Sequence, residues 1–230
     1  MQYAIGVTPM KAIAPLFVLV AAFVAFGLGP YLTLDPTRSR VPPPADFPAY
    51  YSLLVAHVAF GSVAMLTCGF QVWPWFRDRF PTAHRRIGYL YIFGGVLPAG
   101  CLGLIIATVS PFGPVVAVSS TLLAIVWLSV TMTGFRNARR QRFVEHRRWM
   151  IRSFALTMSV ISNRLWAVIW FIVLSPQLPT TFAGNEALMV QTIAGLSGWL
   201  GWVLPLIAAE CWLESERNQG LQRTLITTNS

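Results

Sequence analysis

Six apolar stretches, each about long enough to cross a bilayer, leave this chain few alternatives. They cover about 12–33, 51–75, 87–110, 113–134, 150–174 and 191–213. A hydrocarbon core about 30 Å thick takes roughly 20 apolar residues as a helix. The expected fold class is therefore an all-α membrane protein with six transmembrane helices. Charge content agrees: only 11% of residues are charged, with mean hydropathy +0.60, against about 25% charged in soluble domains. The reading is one polytopic membrane domain over 1–230, with residues 214–230 as a polar tail that frays.

A net charge of +9 raises the question of nucleic acid. The placement of the arginines answers it, because they sit in short loops between apolar runs. Membrane lipids are the expected partners, and no nucleic acid is expected. The first apolar run follows Lys11 and is long for a signal peptide. It lacks a clean small-residue cleavage site, so an uncleaved helix is expected.

Arginine also sets the expected orientation. The loop between spans two and three holds Arg77, Arg79, Arg85 and Arg86. The loop between spans four and five holds Arg136, Arg139, Arg140, Arg142, Arg147 and Arg148, with Arg152 just beyond. Loops 111–113 and 175–190 carry no Lys or Arg. Loop 34–49 balances Arg38 and Arg40 with Asp35 and Asp46. The positive-inside rule then puts the basic loops and both termini in the cytoplasm, in what is expected to be a bacterial inner membrane. Cys68, Cys101 and Cys211 lie apart within apolar runs and make no disulfide or metal pattern.

The two basic loops share a phrase. "FRDRFPTAHRRIGYLY" at 76–91 and "FRNARRQRFVEHRRWMIRS" at 135–153 both run Phe-Arg, Arg-Phe, His-Arg-Arg and then an apolar helix. Spans two and three make one hairpin, and four and five a second of the same orientation. This suggests a parallel repeat about the membrane normal, a four-helix core of spans two to five, flanked by spans one and six. His84 and His146 take related places in it.

These motifs resemble a widespread bacterial family of predicted membrane proteins catalogued as a domain of unknown function. The resemblance rests on "HVAFGSVAMLTCGFQ", "HRRIGYLY", "EHRRWMIRSFALT" and the later Arg164-Leu165, and covers about 50–170. It implies a polytopic membrane protein and singles out His57, His84, His146, Arg148, Arg152 and Arg164. It supplies no established activity.

The residues themselves leave two readings for the histidine pair. In one, His84 and His146 are polar fillers at helix starts, with arginines on lipid phosphates. In the other they are ligands. A helix N-terminus and two arginines disfavour imidazolium, and neutral imidazole is the ligand form. The pair could bind haem iron (haem b) axially, with arginines on the propionates, and Gly88 leaving room for a flat ring. Zinc is short of ligands.

His57, two turns into span two, is either an interhelical hydrogen-bond partner or a proton or quinone contact. Arg164 falls mid-span in "SVISNRLWAVIW" and should face the bundle, since a lipid-facing central Arg costs at least about 2.5–3.5 kcal/mol. Helix carbonyls, Asn163, an anion or a quinone carbonyl are its candidate partners. Gly195, Ser197, Gly198 and Gly201 form a small-residue seam suited to close packing within the chain, or to a homodimer or larger complex.

Three functions follow: a membrane redox protein holding haem or quinone, a non-catalytic accessory subunit, or a transporter or lipid-handling protein. The redox plan is similar to cytochrome b561-type carriers in architecture only, since three histidines cannot make two bis-histidine pairs. No hydrolase, Walker, Rossmann or metalloprotease motif is present, and no catalytic residue is assigned.

Overall fold

A computed structural model describes residues 10–228, with side chains described over 13–220. The elements are α1 (Met10–Leu28), α2 (Tyr50–Val72), α3 (Pro74–Arg79), α4 (Pro81–Tyr91), α5 (Leu97–Thr108), α6 (Pro114–Arg139), α7 (Phe143–Leu174) and α8 (Glu186–Thr228). A π-helical turn, Ile92–Val96, joins α4 and α5 into one span. Six helices are thus long and apolar enough to cross a membrane, and the described residues contain no strand. The chain is an all-α membrane protein.

Helices start earlier than the apolar runs that mark them. The third span begins at Pro81 and the fifth at Phe143, not near 87 and 150. Proline is preorganised for a first helical position, and Pro81 and Pro114 both occupy one. Polar first turns extend each helix past its apolar part, so His84 and His146 lie inside helices and not ahead of them.

The four central spans close a ring. α2 packs on α4, α5 and α7, while α6 packs on α5 and α7. This cyclic order is the one that two parallel hairpins generate. Glycines bring the ring together. A Cβ at Gly95 would lie 2.9 Å from the Ala64 backbone, and one at Gly100 would lie 2.6 Å from Leu128.

At the centre, Tyr91 is 1% exposed. Its hydroxyl sits 2.6 Å from Ser153 Oγ and 2.8 Å from Thr157 Oγ1. Thr131 lies 2.7 Å from Ser153, and Trp127 Nε1 donates to Thr157 at 3.0 Å. A buried hydroxyl network of this kind ties three helices together through direct side-chain hydrogen bonds.

α1 and α8 flank the ring. α1 rests on α2 and α7 through Val20, Val24, Met65, Val160 and Ile161. α8 rests on α6 and α7. The glycine seam serves this contact: added Cβ atoms would meet Val115 from Gly195 at 3.1 Å and Asn163 Cα from Gly201 at 2.8 Å. Trp202 Nε1 closes it by donating to Ser119 Oγ at 3.1 Å. The seam is intrachain packing.

The expected frayed tail is instead helical, since α8 runs on to Thr228. Two bidentate ion pairs hold its emerging part to α7. Arg147 pairs with Glu216 at 2.7 and 2.9 Å, and Arg152 with Glu210 at 2.5 and 2.8 Å.

Candidate functional site

Two places could hold a ligand: the end of the ring that carries the arginine loops, and a crevice toward the opposite end.

At the basic end, each hairpin brings a histidine back toward the helix before it. His146 Nδ1 lies 2.9 Å from the Gly134 carbonyl of α6. A carbonyl only accepts, so Nδ1 carries the proton, and in the neutral ring the lone pair sits on Nε2. His84 occupies the corresponding place on α4. Its Nδ1 looks toward the Phe70 carbonyl of α2 but does not reach hydrogen-bond geometry, and is buried without a partner among the described residues. The two imidazoles lie within electrostatic reach of each other at the basic end.

The surroundings differ from the expected haem slot. The space beside Gly88 is filled, because a Cβ there would lie 3.0 Å from Gln71 Oε1. Gln71 Nε2 also points at the His84 carbonyl, 3.4 Å away. Arg152, expected beside a cofactor, is bound to Glu210 and stacks over Trp149 at 4.8 Å. Arg148 makes no hydrogen bond or ion pair among the described residues and lies within the field of Glu210. An open depression beside His84 is lined by Arg79, Phe80, Thr82, Ala83 and Arg86.

His57 follows its interhelical reading. Its Nδ1 is 2.9 Å from the Ala99 carbonyl of the neighbouring span. Its ring edge fits against Gly103, where a Cβ would come within 3.2 Å. Like His146, it retains an unprotonated Nε2 when neutral.

Arg164 does not face the bundle. It is exposed on α7 and makes no hydrogen bond or ion pair among the described residues. Its electrostatic neighbours are Arg40 and Tyr31, from the end of α1 and the segment after it. The cause is local. Asn163, the preceding residue, meets Gly201 of α8 and turns that face of α7 toward α8. Arg164 is left toward α1, which packs on α7 from another side.

Sequence reasoning missed two things here. Glu210 and Glu216, in "ECWLESE", are acidic residues at the level of the second basic loop, and their charge was the available signal for the arginine clamps. The Tyr91 hydroxyl network had no such signal, because its members lie scattered through apolar runs.

The profile of a family described as "Predicted membrane protein (DUF2306)" matches residues 54–213. No curated protein and no solved structure matches the chain.

Proposed function

Because the chain belongs to the DUF2306 family of predicted membrane proteins, whose description names no activity, we propose from its own residues that it binds a quinone at the His84–His146 end. What supports this reading is that the two histidines share the basic end of the ring, within electrostatic reach of each other. They come from two similarly written hairpins, with one Nδ1 fixed on a backbone carbonyl and the other turned toward one.

Such imidazoles present lone pairs at Nε2. The reduced, hydroxyl-bearing quinol can donate to them, so the reduced form should bind better than the oxidised form. Haem has no ready slot beside them, since the Gln71 side chain would first have to move from beside Gly88. A single quinone ring needs only two hydrogen bonds and an apolar bed. The accessory-subunit reading loses its main surface, because the glycine seam is covered by α6 and α7.

In this reading the basic end and both termini lie in the cytoplasm of a bacterial inner membrane, supported by the arginine loops that gather there. Labelling of an Arg140→Cys variant by an impermeant reagent in intact cells would overturn that orientation.

The test is extraction and spectroscopy of gently purified protein. Wild type should retain quinone, with retention falling about tenfold in His84→Ala as a charge-free hydrogen bond and its packing are lost. Quinone-free protein at full membrane yield would sink the proposal. A Soret band with reduced α and β bands would replace it with haem.

A further inference from the structure

The crevice around Arg164 is a separate site. Val20 and Val24 of α1, Met65 of α2, and Val160 and Ile161 of α7 form one packed cluster. One helical turn beyond it, away from the basic end, the three helices present Gly27, Gly61 and Arg164. A Cβ at either glycine would meet nothing within 4 Å. Neither glycine carries a side chain that would fill the level of Arg164 on its helix.

α1 ends at Leu28, just past Gly27, and the chain turns through Gly29–Tyr31 into irregular backbone. α2 continues eleven residues beyond Gly61 to its start at Tyr50, and α7 ten beyond Arg164 to Leu174. The segment after α1 thus covers helices that outrun it. Irregular backbone at membrane depth is tolerated where it is buried in protein or lines a wet cavity.

This segment brings a second cation. The Arg40 guanidinium lies 3.6 Å over the Phe26 ring and within electrostatic reach of Arg164. Neither arginine has a carboxylate partner among the described residues. Asp35, the near acid, is held by Thr37 at 2.9 and 2.7 Å and by Arg38 at 3.7 Å. The Tyr51 hydroxyl, beside Tyr31, is buried and lacks a hydrogen-bond partner. Two unpaired guanidiniums within electrostatic reach repel each other, and an anion between them reverses the sign of that interaction.

The crevice opens sideways. Phe26 is 60% exposed, and Ala22 and Val18, one and two turns before it on the same face, are exposed as well. These residues form an apolar track leading from the guanidiniums toward the membrane centre, a path suited to an acyl chain.

We propose that Arg40 and Arg164 form a binding site for the phosphate headgroup of a membrane lipid, entered laterally between α1 and α7. Arg164 supplies the fixed charge, and Arg40 closes over the headgroup from the loop. The site is distinct from the histidine end, and either proposal can fail without the other.

The test uses the full chain in detergent, with binding read by native mass spectrometry. The probes are phosphatidylglycerol, a diacylglycerol with the same chains, and inorganic phosphate. Phosphatidylglycerol should bind, and the uncharged diacylglycerol should not. Arg164→Gln and Arg40→Gln should each weaken binding about tenfold or more, the scale of a lost charge-assisted hydrogen bond. Binding of inorganic phosphate alone, equally dependent on both arginines, would keep the anion site and assign it to the free ion. Equal binding of phosphatidylglycerol and diacylglycerol would overturn the proposal, as would full binding by both variants. If Arg164→Gln fails to fold, the loop variant Arg40→Gln decides alone.

Discussion

The two hairpins are written with nearly the same words and built differently. The first interrupts itself: Trp73 and Phe80 leave helical geometry, and the short α3 lies between them. The second turns through Arg140–Arg142, with Gln141 at φ 59°. In the first, the His84 ring nitrogen has no partner and Gly88 faces only the tip of Gln71. In the second, His146 is bonded to Gly134, and Gly134 meets Met150 and Trp149. The first has Arg77 paired only with its neighbour Asp78, while the second has Arg147 and Arg152 clamped to α8. A shared phrase thus fixes direction and position in both, and the neighbours decide whether its polar groups become structure or stay available.

The largest expected contrast is at the glycines. Gly134→Leu must displace Met150 Sδ, 3.0 Å from the added Cβ, and Trp149 Cβ at 3.2 Å. It should cost about 3 kcal/mol. Gly88→Ala meets only a flexible amide and should stay within about 0.5 kcal/mol. Thermal unfolding in detergent measures both, and equal effects would break the contrast between hairpins.

The ion pairs come next. Glu210→Gln removes the partner of Arg152, whose side chain is 14% exposed. The loss should be about 1–2 kcal/mol, reduced by the half-exposure of Glu210 itself. Asp78→Asn, in the first hairpin, should change stability by less than about 0.5 kcal/mol. Denaturant midpoints for the two variants would show whether the clamp belongs to the second hairpin alone.

The smallest stability contrast is the sharpest for function. His146→Ala loses a hydrogen bond and should cost about 1 kcal/mol. His84→Ala loses none and should leave the melting temperature unchanged while quinone retention falls. A destabilised His84→Ala protein with wild-type retention would reverse the roles assigned to the two hairpins.

How far the sequence was legible depends on the kind of interaction. The spans could be read because bilayer thickness imposes a length on apolar runs. The ring order could be read because short loops make neighbours of successive helices. The place of Arg164 was misjudged, since mid-helix position says nothing about azimuth. That was set by Asn163 against Gly201, a contact between distant segments. The family resemblance singled out Arg152, but its ion-pair partner could not be read, because Glu210 lies 58 residues away. Gly88 was read as a gap, although the side chain that fills it, Gln71, belongs to the opposing helix.

The length of α8 has a mechanical consequence. Its 43 residues extend about 65 Å at 1.5 Å per residue, roughly twice the hydrocarbon thickness. The part beyond Glu210 continues as a helical mast beside α7, stayed to it by two arginine struts. A lateral pull on its tip bears on Arg147 first and on Arg152 second, each about one and a half turns from the other on both helices. The struts convert bending of the mast into tilt or rotation of α7 as a whole. Through that single shaft, load applied outside the bilayer would reach both His146 and Arg164.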